Sequence, residues 1–260
     1  MVKFAVGIEY SGTAYCGWQR QQNSGSIQAL VEDALSFVAD HAIKLVCAGR
    51  TDAGVHAVEQ VAHFETDVHR DLKSWLRGAN CELPKDIRLK WVVSIDKDFH
   101  ARFTATARQY RYIILNSSVP SALFHDKAGW EFQPLDHEKM HEAAQDLLGE
   151  HDFSAFRAVG CQAESASRCI DYISLTRNKD LIYLDIRANA FLYHMVRNIV
   201  GSLVVVGKGD QPRAWLGELL EAGDRNRAAA TAPACGLYLL RAFYPERFKL
   251  PTESKKPVLF

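Results

Sequence analysis

The chain has 260 residues, 48% of them hydrophobic and 24% charged, with 31 basic and 31 acidic side chains. That length holds one large or two modest hydrophobic cores, and that composition excludes a disordered chain or a fibre. A net charge of zero lacks the overall basicity common among nucleic-acid-binding domains, so an anionic partner has to be met by a local cluster of cations.

Residues 2–10 alternate, with Phe4, Val6 and Ile8 on one face, and predict a strand. The loop 11–25 carries Gly12, Gly17 and Gly25. Ser24 or Ser26 then caps a helix in which Ile27, Leu30, Val31, Ala34, Leu35 and Val38 recur at helical spacing. Strands follow at 43–48 and 57–66, on either side of a segment of small residues, then a helix at 70–80. At 87–95, Ile87, Leu89, Trp91, Val93 and Ile95 alternate without a break, a further strand. Beyond it come a strand at 108–115, a loop over 116–130, and a helix at 136–149 ending at Gly149. Residues 170–177 and 181–188 form a hairpin across Asn178, Lys179 and Asp180. Helices at 192–206 and 212–222 follow, the second with Pro212 in its first turn and Gly223 past its end. A strand at 236–244 closes the series.

Helices and strands mix without the βαβ order of a parallel sheet, so the fold class is α+β. Two similar halves are expected, 1–105 and 106–245, each with a largely antiparallel sheet flanked by helices. A weakly ordered tail is expected over 246–260. No apolar run approaches the ~20 residues that span a bilayer. The start of the chain lacks a signal-peptide layout. The six cysteines show no C-x-x-C spacing, which argues against structural zinc and fits a reducing cytosol. Acidic residues crowd 136–150, whereas arginines gather at Arg102, Arg108, Arg111, Arg157 and Arg168.

The unusual segment is Gly49 to Ala57, where small residues surround Arg50, Asp52 and His56. Small residues admit another surface close to the backbone. By spacing alone, Asp52 is either a turn former bonded to its own backbone or an active-site acid. No Gly-Lys-Ser/Thr follows, so this is no P-loop, and no Gly-x-Ser-x-Gly marks a hydrolase elbow. A metal-dependent hydrolase built on Asp52 and His56 would need further ligands near the motif.

Four other segments bear on the choice. They are Gly17-Trp18-Gln19-Arg20, Asp98-Phe99-His100-Ala101-Arg102-Phe103, Ala107-Arg108-Gln109-Tyr110-Arg111-Tyr112, and the run Ala188 to Asn198 that includes Phe191, His194 and Arg197. With Ala48-Gly49-Arg50-Thr51-Asp52-Ala53-Gly54-Val55-His56, they closely resemble the TruA family of tRNA pseudouridine synthases. The resemblance runs from about Lys3 to Tyr244, in the family's order and spacing.

That resemblance implies isomerisation of uridine to pseudouridine at positions 38, 39 and 40 of the tRNA anticodon stem-loop. It implies a cytoplasmic homodimer, with no membrane association, cofactor or metal, and an active-site cleft between the two halves. Asp52 matches the catalytic aspartate, which attacks either C6 of the base or C1′ of the sugar, or helps expel the uracil. Arg197 matches the arginine that pairs with it. Tyr110 matches the active-site tyrosine, which stacks on the uracil or takes the C5 proton. Arg50 matches an arginine implicated in base flipping, and it counts among the RNA contacts. Phe99, His100, Ala101, Arg102 and Phe103 match an RNA-contacting stretch, with Arg102 the phosphate contact. Around Cys161–Ser167, a further tRNA-contacting segment of the family, Glu164 stands where basic character is expected. His56 and His194 read as packing residues. The competing reading is a tRNA-binding or folding protein in which catalysis is secondary.

Overall fold

The computed structural model describes residues 1–21 and 25–251. In chain order the elements are β1 (Val2–Tyr10), α1 (Ile27–Ala39), β2 (Val46–Cys47), β3 (His56–Thr66), α2 (Leu72–Glu82), β4 (Ile87–Ile95), β5 (Ala107–Asn116) and β6 (Gly129–Glu131). They continue with α3 (His137–Ala144), β7 (Gly149–Asp152), β8 (Ser167–Asn178), β9 (Leu181–Ala188), α4 (Met195–Lys208), α5 (Trp215–Ala222) and β10 (Leu237–Phe243). The fold is α+β, as the pattern predicts. It divides into two compact units, residues 1–106 with the chain from Tyr238 onward, and residues 107–237.

In the first unit, β1 lies between β4 and β3, antiparallel to both. The short β2 pairs with β3, and β10 joins β3 in parallel, Tyr238 opposite His56. Both faces of β1 are covered, so its middle is buried without alternation. On one face Phe4, Phe64 and Trp75 meet with ring centroids 5.2–5.6 Å apart, and each ring contributes about 1.5–3 kcal/mol by leaving water. On the other, Ala5, Val61, Phe99, Ala101, Ala242 and Phe248 form a second cluster. Ser26 caps α1, its hydroxyl accepting from the Ala29 N–H at 3.3 Å. The alternative cap, Ser24, lies outside the described residues.

In the second unit, β5, β9, β8 and β7 pair antiparallel in that order. The β8–β9 hairpin turns at Lys179, φ +53°, and Asp180. Arg111 of β5 faces its register partner Asp185 of β9, bonded through two 2.7 Å contacts in a buried bidentate pair.

Several boundaries differ from the sequence reading. The predicted strand 43–48 shrinks to Val46–Cys47. The predicted helix 136–149 ends at Ala144 and passes through a 3-10 turn at Gln145–Leu147. Gly149, at φ +96°, then opens a strand the periodicity conceals. A three-residue strand, β6, begins inside the expected loop 116–130 and ends just past it. The closing strand, placed by sequence in the second half, packs with the first unit because it pairs with β3. Glu246–Phe248, expected to be loose, forms a 3-10 turn, and Phe248 is buried against Phe99 at 5.1 Å. The rest of that tail, 252–260, lies outside the described residues. Among the described residues, no helix is long and apolar enough to cross a membrane.

Candidate active site

The small-residue segment leaves β2 at Cys47 and enters β3 at His56. The Val55 N–H donates to the Asp52 carbonyl at 3.2 Å, closing a turn whose third residue, Gly54, takes φ +79°. Glycine alone adopts that conformation without strain. The preceding loop clamps this turn. The Trp18 N–H donates to the Thr51 carbonyl at 3.0 Å, and the Gly54 N–H to the Tyr15 carbonyl at 3.4 Å. Gly17, at φ +90°, lies so close that a Cβ on it would meet the Thr51 carbonyl oxygen at 2.7 Å. A Cβ on Gly12 would collide with the Val55 carbonyl.

The strands hold the same loop from beneath. The Tyr10 and Thr51 hydroxyls sit 2.7 Å apart, both buried. The Gln60 amide donates to the Gly49 carbonyl at 2.6 Å. The backbone of residues 49–55 is therefore fixed on two sides, with the Asp52 side chain half-buried and Arg50 exposed. His56 is buried, stacked on Tyr238 at 4.6 Å, and its Nδ1 accepts the Gly12 N–H at 3.1 Å. An accepting Nδ1 carries no proton, and the packing role expected of His56 matches these contacts.

The stretch 99–103 divides by exposure. Phe99 and Ala101 are fully buried in the core of the first unit, so any contact they make with RNA would be through the backbone of this loop. Their burial anchors the loop. The Ala101 N–H donates to His63 Nδ1 at 3.1 Å, and the Tyr244 hydroxyl donates to the Ala101 carbonyl at 2.6 Å. Burial pushes the His63 pKa down to about 4, which keeps the ring neutral and able to accept. His100, Arg102 and Phe103 are the outward residues. His100 Nδ1 accepts the Arg102 and Phe103 N–H groups, both at 3.2 Å. Its ring stacks on Phe103 at 4.3 Å, and Phe103 is 75% exposed. Burial raises the Cys47 thiol to about 11, and both Arg50 and Arg102 act against that shift.

In the second unit, Tyr110 is largely buried on β5, with the Phe191 ring edge-on at 5.1 Å. Tyr112, two residues on, donates to the Pro233 carbonyl at 2.8 Å. Arg197 lies in the first turn of α4, its Nε donating to the Ala232 carbonyl at 2.8 Å. The Arg197 charge is felt at Tyr112, whose hydroxyl burial pushes well above its usual pKa. Tyr112 thus links the strand of Tyr110 to the surroundings of Arg197. His194 enters α4 at φ +59° and makes no side-chain cap. In the segment around Cys161, the Arg157 guanidinium folds onto the Cys161 and Ala163 carbonyls at 2.8 and 2.7 Å.

Sequence reasoning missed Tyr10 and Gln60. Both occupy strand positions where an apolar residue would pack equally well, and only the buried polar contact reveals their work.

A family model described as tRNA pseudouridine synthase matches residues 7–104 and 143–245. A protein of Hydrogenovibrio crunogenus named tRNA pseudouridine synthase A is 57% identical over 251 residues, 96% of each chain. Proteins of the same name from Glaesserella parasuis and Vibrio atlanticus are each 52% identical, over 100% and 99% of this chain and 99% and 97% of theirs. Among solved structures, a chain of a Cbf5–Nop10–Gar1 complex is similar over 91% of this chain and 48% of its own, at TM-score 0.38 and 14% identity. That last likeness adds nothing to the assignment.

Proposed function

The chain belongs to the tRNA pseudouridine synthase family, and from that premise we propose that it converts uridine to pseudouridine at positions 38, 39 and 40 of the tRNA anticodon stem-loop, with Asp52 as nucleophile. The reaction breaks the C1′–N1 bond, turns the uracil and joins C5 to C1′. The C5 proton is lost and N1 regains one, so the products are isomers and no group is consumed. Asp52 attacks C6 or C1′, which leaves a covalent adduct in either case. Arg197 compensates the carboxylate charge beside anionic RNA. Tyr110 offers its ring to the uracil and its hydroxyl to the departing C5 proton. Arg50 takes the place of the flipped base in the stack, offsetting an unstacking cost of a few kcal/mol. His100, Arg102 and Phe103 receive the RNA backbone and an unstacked base. The enzyme works in the cytoplasm as a homodimer.

The observation that carries the reading is the turn at Asp52. Its backbone is held by Gly12, Gly17, Tyr10 and Gln60, yet it presents one half-buried carboxylate two residues from an exposed arginine. A mere turn former has no need of such a frame. The segments matched across Lys3 to Tyr244 support the remaining roles.

Tritium release from tRNA carrying 5-³H-uridine tests the assignment. Asp52→Ala and Asp52→Asn are expected to fold and bind tRNA but release no tritium above background. Near wild-type release from either would remove Asp52 from the chemistry, and retained biological benefit without release would favour the tRNA-folding reading.

A further inference from the structure

Arg197 occupies an awkward place for a cation. It lies in the first turn of α4, where the helix dipole disfavours positive charge, and no acidic residue shares that turn. Its position is fixed from outside the helix. The Nε donates to the Ala232 carbonyl at 2.8 Å, and the Ala232 N–H returns a bond to the Arg197 carbonyl at 3.1 Å. Because the guanidinium is planar, fixing Nε also fixes the plane of its two Nη nitrogens.

Ala232 ends a strap, residues 225–232, laid along α4. Gly201 lets it lie close, since a Cβ there would collide with the Ala230 carbonyl. Asn198, fully buried beside Arg197, ties the strap down. Its Nδ2 donates to the Phe156 carbonyl at 2.8 Å, and its Oδ1 accepts the Thr231 hydroxyl at 2.6 Å and Arg225 Nη2 at 3.2 Å. Arg225 Nη1 donates to the Ala228 and Ala229 carbonyls at 3.2 and 2.9 Å, so one guanidinium gathers the strap around itself. The Ser202 hydroxyl accepts the Ala229 N–H at 3.4 Å. Anchored on buried Asn198, these part-buried bonds hold the strap in one arrangement.

We propose that Asn198, Thr231 and Arg225 are positioning residues for the reaction: through the strap they fix Ala232 and so aim the Arg197 guanidinium. This rests on the reading that Arg197 acts in catalysis. Without the network, Arg197 keeps its charge and loses its direction. A misplacement of about 1 Å in a catalytic group costs up to roughly a hundredfold in rate.

The test is a double-mutant cycle on single-turnover conversion of tRNA, with tRNA Kd and Tm measured alongside. Thr231→Val removes one hydroxyl and keeps the volume; Arg225→Lys keeps the charge and loses the fork. Each is expected to slow the rate roughly tenfold to a hundredfold, with Kd little changed. Thr231→Ser, which keeps the hydroxyl, is expected to retain the rate even if Arg225→Lys fails to fold. In an Arg197→Lys background, Thr231→Val is expected to cost nothing further, because the aim is already lost. An unchanged rate in Thr231→Val, or the same loss in both backgrounds, would overturn the positioning role while leaving Arg197 in the mechanism. Full activity of Arg197→Lys would likewise overturn the positioning role, because lysine keeps the charge without the planar fork, whereas full activity of Arg197→Ala, which removes the cation, would overturn the reading beneath it.

Discussion

At the scale of residues, each side chain assigned to the reaction is defined by what its neighbours permit. Asp52 is offered by a turn that tolerates no bulk behind it, and Arg50 beside it stays exposed. Tyr110 differs. Its ring is largely buried and edge-on to Phe191, an arrangement that holds the ring plane still and suits it to stack on one flat base. If Tyr110 contributes chiefly by stacking, Tyr110→Phe should keep more turnover than Tyr110→Leu. Base–aromatic stacking is worth about 1–3 kcal/mol, and the leucine variant should lose activity to match. Turnover measured on both variants decides it; equal loss would assign the role to the hydroxyl instead.

At the scale of elements, the frame of the Asp52 turn is the unit that matters. β1 supplies Tyr10, β3 supplies Gln60, and the loop between β1 and α1 supplies Gly12 and Gly17. Gly17→Ala adds a methyl where φ is +90° and the Thr51 carbonyl oxygen stands 2.7 Å away. Strain of this kind costs about 1–3 kcal/mol. Part of that cost is relieved by shifting the turn, so conversion of tRNA should fall well beyond the fraction of protein unfolded. Thermal melts and single-turnover rates on the same sample check this, and a rate that merely tracks folding would contradict it. The elements also show which parts of the fold the sequence reveals. β1, β4 and the β8–β9 hairpin, eight to twelve residues to a strand, are long enough for their sequence pattern to show, although each pairing carries one register shift. β6 and β7, three and four residues long, give periodicity too little length to act on. α3 stops at Ala144 because the chain must turn into β7, a tertiary demand that helical spacing does not record.

At the scale of the whole molecule, a chain with 31 charges of each sign acts on a polyanion. The arginines differ in exposure: Arg50 and Arg102 are exposed, while Arg111 spends its charge on buried Asp185 and Arg157 donates to backbone carbonyls. Counting arginines in the sequence cannot separate these, because only burial and partners do. The same holds at 99–103, where the motif is legible but Phe99 and Ala101 prove to be its foundation, with Arg102 and Phe103 its surface. If Arg102 meets a phosphate, Arg102→Ala should weaken tRNA binding and reduce the slope of log Kd against log salt by about 1. An unchanged slope would place Arg102 off the RNA. Chain order puts the closing strand in the wrong half, because parallel pairing with β3 joins residues far apart in sequence and leaves no local signal.

The most direct test of the central claim is to treat unmodified tRNA with the purified protein and map pseudouridine at single-nucleotide resolution. New pseudouridine is expected at positions 38–40 of the anticodon stem-loop with the native chain, and none with Asp52→Ala. Pseudouridine confined to other positions, or the same pattern from Asp52→Ala, would contradict it.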